Sequence, residues 1–176
     1  MSDYDLVLRI SKEELGERLD TLAAQINADY EGKSLVVIGV LKGAFIFLAD
    51  LVRRLSIPVL LDFVRLASYG DGSETSGLVR ITKDIELPVC GSHVLVVEDI
   101  VDTGTTLAWY LDHLRGCKAE SVKVCALIDK FERRRVEVPL DYVGIRVESG
   151  FLVGYGLDFA ENHRNLPGIF EVFFRK

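Results

Sequence analysis

Residues 98 to 106 read Glu-Asp-Ile-Val-Asp-Thr-Gly-Thr-Thr, three carboxylates and three hydroxyls around one glycine. Glu98 and Asp99 stand side by side where the apolar run Val94–Val97 ends, available to sugar hydroxyls or to a hard cation. Asp102 is a separate carboxylate inside the turn that follows. Gly104 permits a positive φ or a close backbone approach. Thr103, Thr105 and Thr106 place hydroxyls beside the free N–H groups of a helix start, where a phosphate is favoured. A capped helix after a buried strand would account for a lone Asp-Thr-Gly-Thr-Thr. Three carboxylates within five residues ask for more, because they repel one another unless a cation or hydroxyls lie between them.

The elements that must carry this turn follow from hydrophobic pattern. Ser11 and Glu14 form a capping-box pair, and Leu15, Leu19, Leu22 and Ile26 recur at helical spacing behind it. The continuous apolar run Leu35–Val40 suits a strand buried on both faces. Ala44 to Leu55 is apolar on nearly every face over its first two turns and reads as a helix buried on both sides, with a subunit partner as one candidate cover. Strands are expected over 59–67, 78–82, 94–97, 122–128 and 142–147, with a helix over 105–115 bearing Leu107, Leu111 and Leu114 on one face. Residues 68–77, with three glycines and no aliphatic side chain, read as a loop at the tip of a hairpin. Alternating strands and helices indicate an α/β domain with a mainly parallel sheet. Ligands in such sheets bind beyond the carboxyl ends of the strands, which singles out Lys42-Gly43, the 98–106 segment and Lys130.

Composition narrows the class. The 176 residues, 49% hydrophobic with a formal net charge of −6, fit a single globular domain spanning 1–176 and disfavour a nucleic-acid partner. Cys90, Cys117 and Cys125 are odd in number and form no CxxC pair, so neither a disulfide framework nor a zinc knuckle is indicated. His93, His113 and His163 have no ligand spacing. Arg133, Arg134 and Arg135 read as a solvated basic face. With no basic leader and no apolar run of membrane-spanning length, a soluble cytoplasmic protein with no membrane partner is expected. Neither a Walker loop nor a dinucleotide fingerprint occurs; Gly154-Tyr155-Gly156 lacks the third glycine.

The segment Val96–Leu107 (VVEDIVDTGTTL) resembles the phosphoribosyl diphosphate motif of type I phosphoribosyltransferases, in the form found in the hypoxanthine-guanine branch. Val40–Arg53, Ser68-Tyr69-Gly70, the stretch from Leu127 to Val147, and Phe151–Ile169 are similar to further parts of that family. The resemblance implies a type I phosphoribosyltransferase fold: a mainly parallel sheet flanked by helices, a small hood from the N-terminal segment and about 148–170, and a mobile loop hairpin at 68–77. It implies transfer of a 5-phosphoribosyl group from phosphoribosyl diphosphate to N9 of a 6-oxopurine, with Mg2+ as cofactor and a dimer or tetramer as the assembly.

Residue by residue, the family pattern makes Asp102 the general base. Glu98, Asp99 and Asp102, with Thr103, Gly104, Thr105 and Thr106, would hold the ribose and its 5′-phosphate. Lys130, Phe151 and Leu152 would hold the purine: Lys130 at the 6-oxygen, Phe151 as a stacked plate, and Leu152 by its backbone. Lys42, Gly43 and Arg164 would meet pyrophosphate, often with a cis peptide before the lysine. Glu98, Asp99 and Asp158 would serve the metal, and Ser68 and Tyr69 would open the mobile loop. Two other readings stay open at this point: a xanthine-preferring transferase, and a non-catalytic regulator that senses phosphoribosyl diphosphate.

Overall fold

The computed structural model describes residues 4–69 and 78–175. Chain order is β1 (Tyr4–Ile10), α1 (Lys12–Asp29), β2 (Leu35–Leu41), α2 (Phe45–Val52), β3 (Val59–Tyr69), β4 (Leu78–Lys83), β5 (His93–Val101), α3 (Thr105–Gly116), β6 (Ser121–Lys130), β7 (Tyr142–Val147), β8 (Leu152–Val153) and β9 (Ile169–Phe174). The main sheet has the order β4-β3-β2-β5-β6-β7 and is parallel except for the β3–β4 hairpin. A second, antiparallel sheet, β1-β9-β8, joins the two ends of the chain.

The apolar runs become two-sided strands. Leu35, Val37, Leu95 and Val97 pack with α1 and α2, whereas Val36, Ile38, Val94 and Val96 pack with α3. Alternate side chains of a strand point to opposite faces, so a strand covered on both sides must be apolar throughout. The Ser11 hydroxyl accepts from the Glu14 N–H at 3.1 Å and starts α1 as the capping pattern predicts. Leu15, Leu19, Leu22 and Ile26 are all buried beneath it.

Three local expectations change. First, β5 does not stop at Val97: pairing with β6 continues through Glu98↔Ala126 to Val101↔Asp129, so Glu98 and Asp99 are strand residues and the turn shrinks to 102–104. The partner strand, running on to Lys130, supplies the ladder that holds them extended. Second, α2 ends at Val52, and Phe45 is exposed while Phe47, Leu48 and Leu51 are buried, so the helix has one core face. Third, the hood is itself a sheet, made of β1, β8 and β9. The loop expected at 68–77 lies outside the described residues from 70 to 77; Ser68 and Tyr69 close β3.

Candidate active site

Parallel strands place their carboxyl ends on one rim, and the exits of β2 and β5 meet there beneath the hood. They enclose a cavity of about 360 Å³ whose wall includes Lys42, Gly43, Glu98, Asp99, Asp102, Thr103, Gly104, Thr106, Asp158 and Arg164. Thr105, Lys130, Phe151 and Leu152 are not part of that wall.

Gly43 packs directly on Asp99: a Cβ there would overlap Asp99 Oδ2 and Cγ. This fixes the Lys42-Gly43 turn against the carboxylates. Leu41–Lys42 is a cis peptide, as the family pattern implies. Asp99 is only 9% exposed. Burial raises the Glu98 carboxyl well above the usual range, and the Asp99 charge raises it further. Burial raises Asp99 as well, partly offset by its hydrogen bond to Glu98, by backbone donors and by Arg164. Adjacent acids held this way carry negative charge readily only when a cation or hydroxyl donors reach them.

At the end of β5, Gly104 stands at φ 79° immediately before α3, which has no side-chain cap. The helix N-terminus therefore keeps N–H groups available for an anion. Asp102 Oδ2 lies 3.3 Å from Lys130 Nζ and 3.7 Å from Arg133 Nη1. Its Oδ1 is buried without a hydrogen-bond partner among the described residues. Lys130 Nζ also donates to the Gly150 carbonyl at 3.3 Å, tying the end of β6 to the residue before Phe151. Phe151 is 44% exposed, and its ring meets Phe159 edge-on at 5.4 Å. Leu152 is buried. The third strand exit thus adjoins the cavity through Asp102 without opening into it.

On the hood side, Lys42 Nζ donates to Glu161 Oε1 at 2.9 Å, and Arg164 Nη2 lies 3.2 Å from Glu161 Oε2 and 2.8 Å from Asp158 Oδ1. Lys42 and then Arg164 hold the Glu161 carboxyl below its usual range. Arg164 Nη1 donates to the Gly156 carbonyl at 2.7 Å, while its Nε is buried and has no partner among the described residues. Among the described residues, no group of three or more His, Cys, Asp and Glu side chains could hold a metal ion unaided.

The basic run is not a solvated face at its centre. Arg134 has a side chain only 10% exposed and an ion pair with Asp129 at 2.5 Å. It donates to the carbonyls of Asp102 at 2.8 Å and Val101 at 3.0 Å. Three consecutive arginines give no pattern that would mark the middle one as internal; only the neighbouring Asp129 hinted at a partner.

The phosphoribosyl transferase domain profile matches residues 10–160. The chain is 47% identical over 168 residues to the bifunctional protein TilS/HprT of Listeria monocytogenes strain F2365, covering 96% of this chain and spanning about a quarter (26%) of that protein. It is 44% identical over 175 residues to the hypoxanthine phosphoribosyltransferase of Haemophilus influenzae, with 98% of each chain covered. A crystal structure of a Bacillus anthracis hypoxanthine-guanine phosphoribosyltransferase superposes with a TM-score of 0.91 at 44% identity, covering 97% of this chain and 99% of that one. With most of its length matched by the domain and by full-length relatives, the chain belongs to the phosphoribosyl transferase domain family, in its hypoxanthine(-guanine) phosphoribosyltransferase branch.

Proposed function

We propose that the chain transfers the 5-phosphoribosyl group of phosphoribosyl diphosphate to N9 of hypoxanthine, and of guanine, giving IMP or GMP and diphosphate. The observation that carries this reading is the shared cavity: the Asp102–Gly104 turn with Thr106, the Glu98–Asp99 pair, and Lys42, Gly43 and Arg164 approach one space from three directions. A phosphate at the α3 N-terminus, ribose hydroxyls at the acid pair and diphosphate at the basic groups fill it in that order. Residues 1–176 act as one domain in this reading.

The bond to diphosphate breaks ahead of full bond formation to the purine, so the protein must hold the leaving group, aim the base and take a proton. Asp102 takes the proton near N7 in this reading, supported by one carboxylate oxygen leaning on Lys130 and the other having no partner among the described residues. Lys130 donates to the 6-oxygen, Phe151 offers an exposed ring for stacking, and the Leu152 backbone reads the base edge. Thr105 contributes through the helix start. Ser68 and Tyr69 end β3 just before residues 70–77, which lie outside the described residues.

Mg2+ fits the acid set. Among the described residues Glu98 and Asp99 form no ion pair, although the Arg164 charge favours ionised Asp99, and Asp158 lines the same wall although Arg164 already engages it. Among the described residues too few carboxylates gather for a resident ion, so the reading takes one that arrives on the diphosphate. When bound, it neutralises the leaving group. The assembly is a homo-oligomer and the compartment cytoplasmic in the same reading; among the described residues, no helix is long and apolar enough to cross a membrane.

The test is kcat/KM for hypoxanthine, guanine, xanthine and adenine. Adenine presents an amino group to Lys130, leaving two donors face to face at a cost of about 1–3 kcal/mol. Hypoxanthine and guanine are expected to lead; equal rates with adenine would refute the base assignment.

A further inference from the structure

Resting on that reading, we propose that Arg134 is a positioning residue that shapes the phosphate cradle from behind. The guanidinium spans the back of the turn, taking the Asp102 carbonyl on Nε at 2.8 Å and the Val101 carbonyl on Nη2 at 3.0 Å. The next carbonyl, Thr103, accepts from the N–H groups of Arg135 at 2.9 Å and Val136 at 3.1 Å. Three consecutive carbonyls are therefore drawn to one side by residues 134–136. In a trans peptide the N–H lies opposite the C=O of the same plane. The N–H groups of Asp102, Thr103 and Gly104 are accordingly turned away from Arg134, the arrangement that makes an anion-binding concavity.

Two further contacts fix the device. Asp129 Oδ1 holds Arg134 Nη2 at 2.5 Å, with both side chains largely buried, so the fork has one orientation. Gly104 is packed so closely that a Cβ would overlap the Val136 carbonyl and stand 3.2 Å from Arg134 Cδ. The glycine lets residues 134–136 close on the turn as well as permitting its positive φ. Arg134 touches no substrate. It acts through the peptide planes, and a planar fork is required because the three donors of an ammonium radiate from one nitrogen and cannot match the separated Nε and Nη2 positions.

The experiment uses the full chain as Arg134→Met, Arg134→Lys and Asp129→Asn. It measures KM for phosphoribosyl diphosphate, KM for hypoxanthine, kcat and the thermal midpoint. Expected is a rise in KM for phosphoribosyl diphosphate on the order of 10- to 100-fold in both arginine variants, with a smaller rise in Asp129→Asn. KM for hypoxanthine stays within about threefold, because Lys130, Phe151 and Leu152 hold the base in this reading, and any shift of Asp102 on the turn shows in kcat instead. Should Arg134→Met fail to fold, Arg134→Lys and Asp129→Asn carry the same comparison. Full recovery in Arg134→Lys would show that charge alone matters and would overturn the proposal. Parallel losses in both KM values with a lowered midpoint would do so too, revealing plain destabilisation. If the unmodified chain transfers nothing, the functional reading fails instead. Calorimetric titration of phosphoribosyl diphosphate into wild type and Arg134→Lys then still decides the cradle, with equal affinities counting against it.

Discussion

Replacing Gly43 with alanine isolates the contact that locks the β2 exit to the carboxylates of β5. The added Cβ would overlap Asp99 Oδ2 and Cγ and stand 3.1 Å from Oδ1. Asp99 must therefore retreat by more than about 1 Å, and a misplacement of that size in a positioned group costs on the order of 10²-fold in rate. That corresponds to about 2.7 kcal/mol of transition-state stabilisation. The fold should suffer less. The obstructing atoms are the tip of a short side chain and not backbone, so overpacking is relieved by rotation at about 1–3 kcal/mol or below. Steady-state transfer to hypoxanthine and urea unfolding, run on the same preparations, separate the two effects. Repeating Gly43→Ala in an Asp99→Ala background tests the cause: with the carboxylate gone, the alanine should add little further loss. Wild-type kcat/KM in the single variant, or fully additive losses in the double, would refute the reasoning.

Three other outcomes follow from the structure. Gly16 lies inside α1 and faces open space, with no atom within 4 Å of where a Cβ would stand; Gly16→Ala should raise stability by about 0.5–1 kcal/mol in urea without altering kcat. Buried Asp62 accepts from the N–H groups of Phe63, Glu86 and Leu87. Burial pushes its carboxyl up, but these donors outweigh burial and leave it below the usual aspartate range. A depressed acid contributes stability above its unfolded value and loses it as pH falls through the folded one. Asp62→Asn should therefore cost about 1–3 kcal/mol at neutral pH, with the gap to wild type closing in acid unfolding curves. Glu161 is exposed and shared by Lys42 and Arg164, and on the proposed reading diphosphate would compete with it for both cations. Glu161→Gln should lower the inhibition constant of diphosphate several-fold, and an unchanged constant would show that the pair does not hold the leaving group.

Much of this was legible because strong signals agreed. The two-faced apolar runs set the parallel sheet, and the capping pair at Ser11 and Glu14 started α1 where expected. The acid and hydroxyl spacing at 98–106 marked the turn that now lines the cavity. Other features depended on distant partners. β5 runs past Val97 only because β6 runs beside it, a pairing between residues far apart in the chain. β1 and β9 are short strands whose pattern gains meaning once each finds the other. Arg134 looks like its neighbours in sequence, and its burial is set by Asp129 and by the carbonyls of the turn. Gly104 was legible as a turn glycine but not as the floor on which residues 134–136 rest.

The central claim is catalysis at Asp102, as distinct from binding alone. Its most direct measurement is production of IMP and diphosphate from hypoxanthine and phosphoribosyl diphosphate with Mg2+, by wild type and Asp102→Asn side by side. Wild type should yield the two products in equal amounts. The variant should lose on the order of 10²–10⁴ in kcat, with phosphoribosyl diphosphate still bound. Ligand binding without product in the wild type, or undiminished turnover in Asp102→Asn, would contradict it.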